Sequence, residues 1–405
     1  MTTSSTRIAG PSALASHWSL DTEFDFLNHG SFGATPKVVL AQQDRLREEM
    51  EAQPVRFLAR ELEPLMDQAR AGLGAFVDAD PDDLAFVANA TAGINTVTRS
   101  LQLEEGDEVV TCDQEYNASR NALIFAAERA GATVRHVQIP FPIEGPEVIV
   151  ERFLAACNER TKLVMFDHIT SQTGLLYPAA ELTEKIQALG IDVMIDGAHA
   201  PGQVAVDLEA IGAAYYTANC HKWMCAPKGA AFLHVRKDKQ DGIRPLTISH
   251  GANSPRADRS FFRVEADWLG TDDPTRWLCI PDSIRFLSEL FPGGIDELQQ
   301  RNHDLVLQGR KLLCDALEVD IPCPESMIGS LASVPLPDGH PEDVGPPPMF
   351  LDRLNVRLFE EHRIEVPVVM WPKKPHRVLR ISAQAYNRIE QYERLASLLP
   401  DLLRS

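Results

Sequence analysis

The chain predicts a three-layer α/β domain built on a mainly parallel sheet, followed by a smaller α+β domain, and three observations carry that expectation. From about Leu84 to Val235, short apolar runs alternate with helix-length amphipathic segments, the pattern left by parallel strands and their helical crossovers. Several runs are apolar throughout, as strands covered on both faces tend to be. After about Pro281 the alternation stops, and helical segments, short strands and a Pro-rich stretch take over. A length of 405 residues suits two domains, with three possible at roughly 150 residues each. The expected boundaries are a flexible N-terminus over 1–20, a large domain with an N-terminal arm over 21–280, and a small domain over 281–405.

The strands expected, in order, are Leu84 to Ala88, Glu108 to Thr111, Thr133 to Ile139, Lys162 to Phe166, Val193 to Ile195, Ala214 to Thr217 and Ala230 to Val235. Between them the apolar spacing predicts helices over Ala92 to Leu101, Ser119 to Ala130, Glu147 to Asn158 and Ala179 to Leu189, with Gly131 and Gly190 placed for left-handed C-terminal caps. The second domain should hold helices at Ser283 to Leu290, Ile295 to Leu317, Phe350 to His362 and Arg388 to Leu399, and strands near Ile364 to Val369 and Val378 to Ile381. Six prolines in Val334 to Pro348 argue for an exposed loop rather than a helix or a central strand.

Composition narrows the function. Hydrophobic residues at 44% and charged residues at 24% exclude a disordered, collagen-like or coiled-coil chain. The net charge of −19 repels phosphate backbones and anionic lipid, and no block of basic residues offsets it, so neither nucleic acid nor membrane is expected as a partner. Seven cysteines without a C-x-x-C pair or zinc-like spacing suggest reduced thiols in a cytoplasm and no metal site. The N-terminus lacks the pattern of a signal peptide, and no apolar run approaches the ~20 residues that span a bilayer. A small-molecule enzyme fits these limits.

Four short constellations carry chemistry. In V-M-I-D-G-A-H-A, Asp196 ends a buried strand, where open α/β sheets bind ligands, and His199 follows three residues later; Asp-Gly also makes an ordinary turn. In N-C-H-K-W, Lys222 stands between His221 and Trp223, just past an apolar run and after Asn219, where desolvation would lower its pKa and leave a nucleophilic amine. In A-N-A-T-A-G-I-N, small residues at a strand-to-helix junction open a helix N-terminus to a phosphate, with Thr91 adding a hydroxyl; an N-cap without a ligand explains such a junction too. In C-D-Q-E-Y-N, Tyr116 offers a ring for a planar ligand or a half-buried structural contact. The order of these four within one α/β domain is that of pyridoxal 5′-phosphate (PLP) enzymes.

With these motifs the sequence resembles the class V aminotransferase family of fold-type I PLP-dependent enzymes, and within it the branch of isopenicillin N epimerase. The resemblance runs from F-L-N-H-G-S-F-G (Phe26 to Gly33) through the motifs above to D-G-A-H-A-P-G, W-L-G-T-D-D-P (Trp268 to Pro274) and R-I-S-A-Q-A-Y-N (Arg380 to Asn387). It implies that Lys222 forms the Schiff base, Asp196 pairs with the pyridine nitrogen and His199 lies near the phenolic oxygen. Thr91 and Ala92 would bind the phosphate with help from Asn219 and His221, and Tyr116 would stack on the ring. Ser171 stands where related cysteine desulfurases carry an asparagine near the cofactor. Thr271 would reach the partner subunit's cofactor, implying a homodimer with shared sites. Arg380 would grip the substrate α-carboxylate, and Asn28, His29 and Ser31 would face the amino-acid-type substrate.

The related desulfurases also need a cysteine shortly before that arginine, and His362 to Val378 has none; Cys225 lies in the wrong place to replace it. The resemblance thus implies an epimerase acting at an α-carbon, with a C–S β-lyase on a cysteine conjugate, such as hercynylcysteine sulfoxide lyase, or an aminotransferase as alternatives. Arg56 and Arg60 read equally as a grip on a distal carboxylate or as surface charges.

Overall fold

All seven runs expected between Leu84 and Val235 are strands in the computed structural model, which describes residues 8–340 and 351–404. The chain enters through β1 (Asp25–Phe26), α1 (Lys37–Ala52) and α2 (Leu62–Val77). It continues with β2 (Leu84–Val87), α3 (Ala90–Ser100), β3 (Glu108–Cys112), α4 (Asn117–Ala130), β4 (Thr133–Val137), α5 (Glu147–Ala156) and β5 (Thr161–Asp167). Next come α6 (Ala179–Gln187), β6 (Asp192–Asp196), β7 (Tyr215–Asn219) and β8 (Ala231–Val235). The sheet order is β2-β8-β7-β6-β5-β3-β4, and β8 alone runs against its neighbours.

Period-two alternation makes this sheet the middle of three layers. Val109, Met165, Met194, Tyr215 and Leu233 point to a core shared with Ile94 and Val97 of α3 and Leu123 of α4. Their neighbours Val110, Phe166, Ile195, Tyr216 and Phe232 point to the other core, shared with Leu73 of α2, Phe153 of α5 and Leu182 of α6. Helices therefore cover both faces. Gly131 caps α4 in the left-handed conformation as expected, whereas Gly190 sits three residues beyond α6 and closes the following turn.

The second half adds α7 (Ile280–Glu289), α8 (Gly294–Leu317), β9 (Leu331–Leu336), α9 (Arg353–His362), β10 (Ile364–Glu365), β11 (Val368–Met370), β12 (Arg377–Ser382) and α10 (Ile389–Arg404). β9, β12 and β11 form a three-stranded antiparallel sheet. The single strand expected over Ile364 to Val369 is two: Val366 and Pro367 interrupt it, β10 pairs in parallel with β1, and β11 pairs with β12. The Pro-rich stretch also departs from a plain loop at its start. Pro335 lies in β9, an edge strand, where a missing N–H is tolerated, while residues 341–348 of that stretch, and Phe350 at the expected start of the next helix, lie outside the described residues.

Sequence reading placed no element before Leu84, yet Leu62, Met66, Ala69, Leu73 and Val77 are buried at helical spacing along α2. The flexibility expected over 1–20 also gives way from residue 8 onward. Trp18 is 2% exposed, edge-on to Phe286 and Tyr386, and the Ser12 N–H donates to the Tyr386 carbonyl at 2.8 Å. Burying an indole holds this segment down.

Candidate active site

Three strands deliver polar side chains to one cavity of about 250 Å³ at their carboxyl ends, where open α/β sheets bind ligands. β5 contributes Asp167, β6 contributes Asp196, and the turn after β7 contributes His221 and Lys222. Ser31, Thr91, Tyr116, Ser171, His199 and Asn219 of the expected set also line the wall, with Phe32, Asn89, Ala90, Ile169 and Ala198 beside them, whereas Asn28, His29, Ala92, Thr271 and Arg380 do not.

The turn that carries Lys222 is wedged between two glycines. A Cβ on Gly33, which has φ +70°, would lie 2.3 Å from the His221 carbonyl oxygen, and one on Gly202 would lie 2.5 Å from the Trp223 carbonyl carbon. Only a residue without a side chain lets the backbone approach so closely. The result is a lysine fixed in a buried turn with its amine toward the cavity.

Lys222 Nζ lies 3.0 Å from His199 Nε2, and the indole N–H of Trp223 points at His199 Nδ1 from 3.3 Å. With Nδ1 accepting, the ring proton belongs on Nε2, where it is offered to the uncharged form of the amine. Burial lowers the Lys222 pKa to about 8, against the pull of Asp196, so the uncharged amine is the minor form at neutral pH and prevails only above about 8. His199 is itself held well below its ordinary value by burial and remains neutral.

Asp196 accepts from Ser119 Oγ at 2.7 Å and from the Ala198 N–H at 3.0 Å, and burial raises its pKa. Beside it, α3 begins with Asn89 as N-cap. Ala92, expected at a phosphate, instead gives its N–H to Asn89 Oδ1 at 2.8 Å, because an N-cap side chain accepts from the second or third amide of its helix. Asn219 Oδ1 accepts from the Ala90 N–H at 2.8 Å. His221 donates through Nδ1 to the Ala230 carbonyl at 2.9 Å, and burial lowers its pKa to about 4, so the neutral ring presents Nε2 as an acceptor.

Arg380, in β12, closes one side of the site. It is 4% exposed, and its guanidinium donates to Ser171 O, to Ser31 Oγ at 3.0 Å and to Asn28 Oδ1 at 3.4 Å. Its Nε has no partner among the described residues, and all three acceptors are neutral. Burial lowers its pKa to about 10, which still leaves it charged at neutral pH. Its described partners thus leave this buried cation without a counter-anion.

One further expectation fails here. His29, expected to face the substrate, is fully buried behind the site, its ring nitrogens bound to Tyr386 OH at 2.7 Å and to the Lys222 carbonyl at 3.1 Å. Burial lowers its pKa to about 3, so it is a neutral strut under the lysine turn. Of the two readings of Arg56 and Arg60, the structure favours surface charges: both are exposed, Arg56 pairs with Glu61 at 3.2 Å, and neither lines the cavity. Thr271 is exposed and away from the cavity of its own chain.

Sequence reading also missed residues. Asp167 ends a buried strand as Asp196 does, so the same signal marks it. Glu115 sits inside the quoted D-Q-E-Y-N motif, whereas Ser119 and Asn89 carried no separable signal.

A family model described as Aminotransferase class-V matches residues 27–395. The chain belongs to the class V aminotransferase family. It is 36% identical to isopenicillin N epimerase of Streptomyces clavuligerus over 95% of this chain and 96% of that protein. It is 32% identical to a probable chloroplastic L-cysteine desulfhydrase of Arabidopsis thaliana over 95% and 84% of the two chains. Among solved structures, the apo cysteine desulfurase of Thermococcus onnurineus superposes with a TM-score of 0.80 at 19% identity over 100% of both chains. A mutant of the cystine C–S lyase C-DES, with glycine covalently linked to its PLP cofactor, gives 0.74 at 21% identity over 93% and 96%. At those identities the two structures establish the fold, fold-type I, and no more.

The class V cofactor is PLP, and the residues present fit it. The wall brings together an amine with a lowered pKa, a buried carboxylate, the first residues of α3 with the hydroxyl of Thr91, and an exposed aromatic ring at Tyr116.

Proposed function

We propose that this chain is a PLP-dependent enzyme acting at the α-carbon of an amino acid, with epimerisation as its reaction. One observation carries the proposal: Lys222, an amine whose charge burial makes easy to lose, lines the small cavity, and Arg380 stands directly behind its wall on Ser31 and Ser171, close enough to help lower the lysine pKa. A base beside a carboxylate receptor is the arrangement that removes a proton next to a carboxylate.

When bound, PLP supplies an electron sink for a carbanion. Asp196, oriented by Ser119 and Ala198, would meet its ring nitrogen, Thr91 and Asn219 its phosphate, and Tyr116 its face. Arg380 holds the substrate carboxylate in a two-pronged contact, with Ser31 and Asn28 fixing the guanidinium plane. Lys222 takes the α-proton at Nζ, and His199 Nε2 aims that amine. Ser171 buttresses Arg380 through its carbonyl.

A C–S lyase is the second reading, favoured by the 32% identity to a protein named as a desulfhydrase over 95% of this chain. Amino acids and cysteine conjugates incubated with the holoenzyme in heavy water separate the two. Deuterium at an inverted α-carbon supports epimerisation, while pyruvate and ammonia without racemised substrate select the lyase.

The working unit we infer is a homodimer in which exposed Thr271 completes the partner's site. A cytoplasmic location agrees with seven free cysteines. No helix among the described residues is long and apolar enough to cross a membrane.

A further inference from the structure

Asp196 is not alone. Its carboxyl group and those of Glu115 and Asp167 bring oxygens within 4.8 Å of one another, and the three residues are 2%, 0% and 3% exposed. Asp167 lines the cavity together with Asp196 and Lys222. Glu115 Oε1 and Asp167 Oδ2 are buried without a hydrogen-bond partner among the described residues. Thr111 Oγ1 offers Glu115 Oε2 a distant 3.5 Å contact.

Three anions this close in a dry interior cannot all persist, because each additional charge is opposed by both desolvation and its neighbours. The surrounding groups offset them only in part: the Tyr116 N–H favours the charged forms of Glu115 and Asp167, and Ser119 and the Ala198 N–H that of Asp196. Cys112, Tyr177 and Tyr216 lie beside the cluster as neutral groups, with their own pKa values pushed up by burial. The cations that act on it are Arg120, felt weakly by Glu115, and Lys222, which is itself partly neutral. His168 turns its Nδ1 to Tyr216 OH at 2.9 Å and is held neutral by burial.

We infer that Glu115 and Asp167 share one proton and act as positioning residues that place a second negative charge behind Asp196, so that the site selects a ring nitrogen carrying its proton. This rests on the PLP reading of the site. The partnerless oxygens are explained if the proton lies between the two carboxyls. A pair carrying one net charge then raises the proton affinity of any nitrogen docked against Asp196, since charges at these distances in a low-dielectric interior interact strongly. One carboxylate would hold the nitrogen; the second makes its protonation persist at higher pH.

The test is the titration of the cofactor's ring nitrogen, followed by nitrogen NMR on holoenzyme reconstituted with nitrogen-15-labelled PLP. The Glu115→Gln, Asp167→Asn double variant should titrate at least about one pH unit below wild type. Each single variant keeps one ionisable carboxyl and should shift by less than half as much. A double variant that titrates with wild type, or single shifts that add up to the double, would overturn the inference. Infrared spectroscopy of wild-type holoenzyme needs no variant: a protonated-carboxyl band at neutral pH that vanishes in the double variant supports the shared proton, and its absence from wild type refutes it. A divalent cation retained at one per chain in purified apoprotein would also refute it, because the metal would supply the neutralisation assigned to the proton. If wild type binds no PLP at all, the cofactor reading fails and this inference fails with it.

Discussion

Lys222 shows what burial does to a single side chain. Its amine should capture PLP only when uncharged, and its pKa is lowered to about 8, so reconstitution of apoprotein should speed up with pH and level off above about 8. Stopped-flow absorbance checks this; a rate that keeps climbing toward the ordinary lysine value near 10.5 would show the amine to be solvated. Arg380→Lys keeps the charge but loses the fork that meets Ser31, Asn28 and a carboxylate together. It should cost about 1.5–3 kcal/mol, roughly tenfold or more in KM, with kcat less affected. Lys222 and Asp196 are legible in the sequence because they are charges at or just past the ends of apolar runs, whereas Arg380, inside β12, is marked only by the family resemblance. His29 was misread for the complementary reason, since a histidine within a polar motif does not reveal that Tyr386, 357 positions later, will take its Nδ1.

Elements were legible in proportion to their periodicity. The seven strands of the central sheet are nearly continuous apolar runs because both faces are covered, and each was found within one or two residues at most ends. β1 and β10 are two residues each, too short for any period, and only their pairing defines them. The Gly33 contact with the lysine turn belongs to the same category: the sequence shows a glycine, while the structure shows what it lets approach. Gly33→Ala forces a Cβ toward the His221 carbonyl at a positive φ and should destabilise the protein by about 1–3 kcal/mol, visible as a lower urea midpoint. An unchanged midpoint would mean that the entry segment is not docked on that turn.

At the scale of the molecule, buried titratable groups set a stability profile. His29, His168, His221 and His234 have pKa values lowered to about 3 or 4, so the unfolded chain binds more protons than the native chain below 6.5, and stability rises with pH up to that point. Glu115 works the other way. Its pKa is raised from 4.5 to about 8 by burial, its stabilisation is complete below 4.5, and that contribution is lost as pH climbs toward about 8. Apoprotein should therefore be most resistant to urea near pH 6.5 and weaken toward pH 8, and the Glu115→Gln, Asp167→Asn variant should lose the alkaline decline. A wild-type profile that keeps strengthening from pH 6.5 to pH 8 would contradict this reading of the buried groups.

The contacts of Arg380 with Asn28 and Ser31 join positions 352 and 349 residues apart. During synthesis, every strand of the central sheet and the lysine turn leave the ribosome before residue 380 does. A nascent chain can thus assemble a site with an amine and no grip for a carboxylate. The proton-abstracting machinery stays without an anchored substrate until the last strand of the small sheet folds back onto residues made long before it.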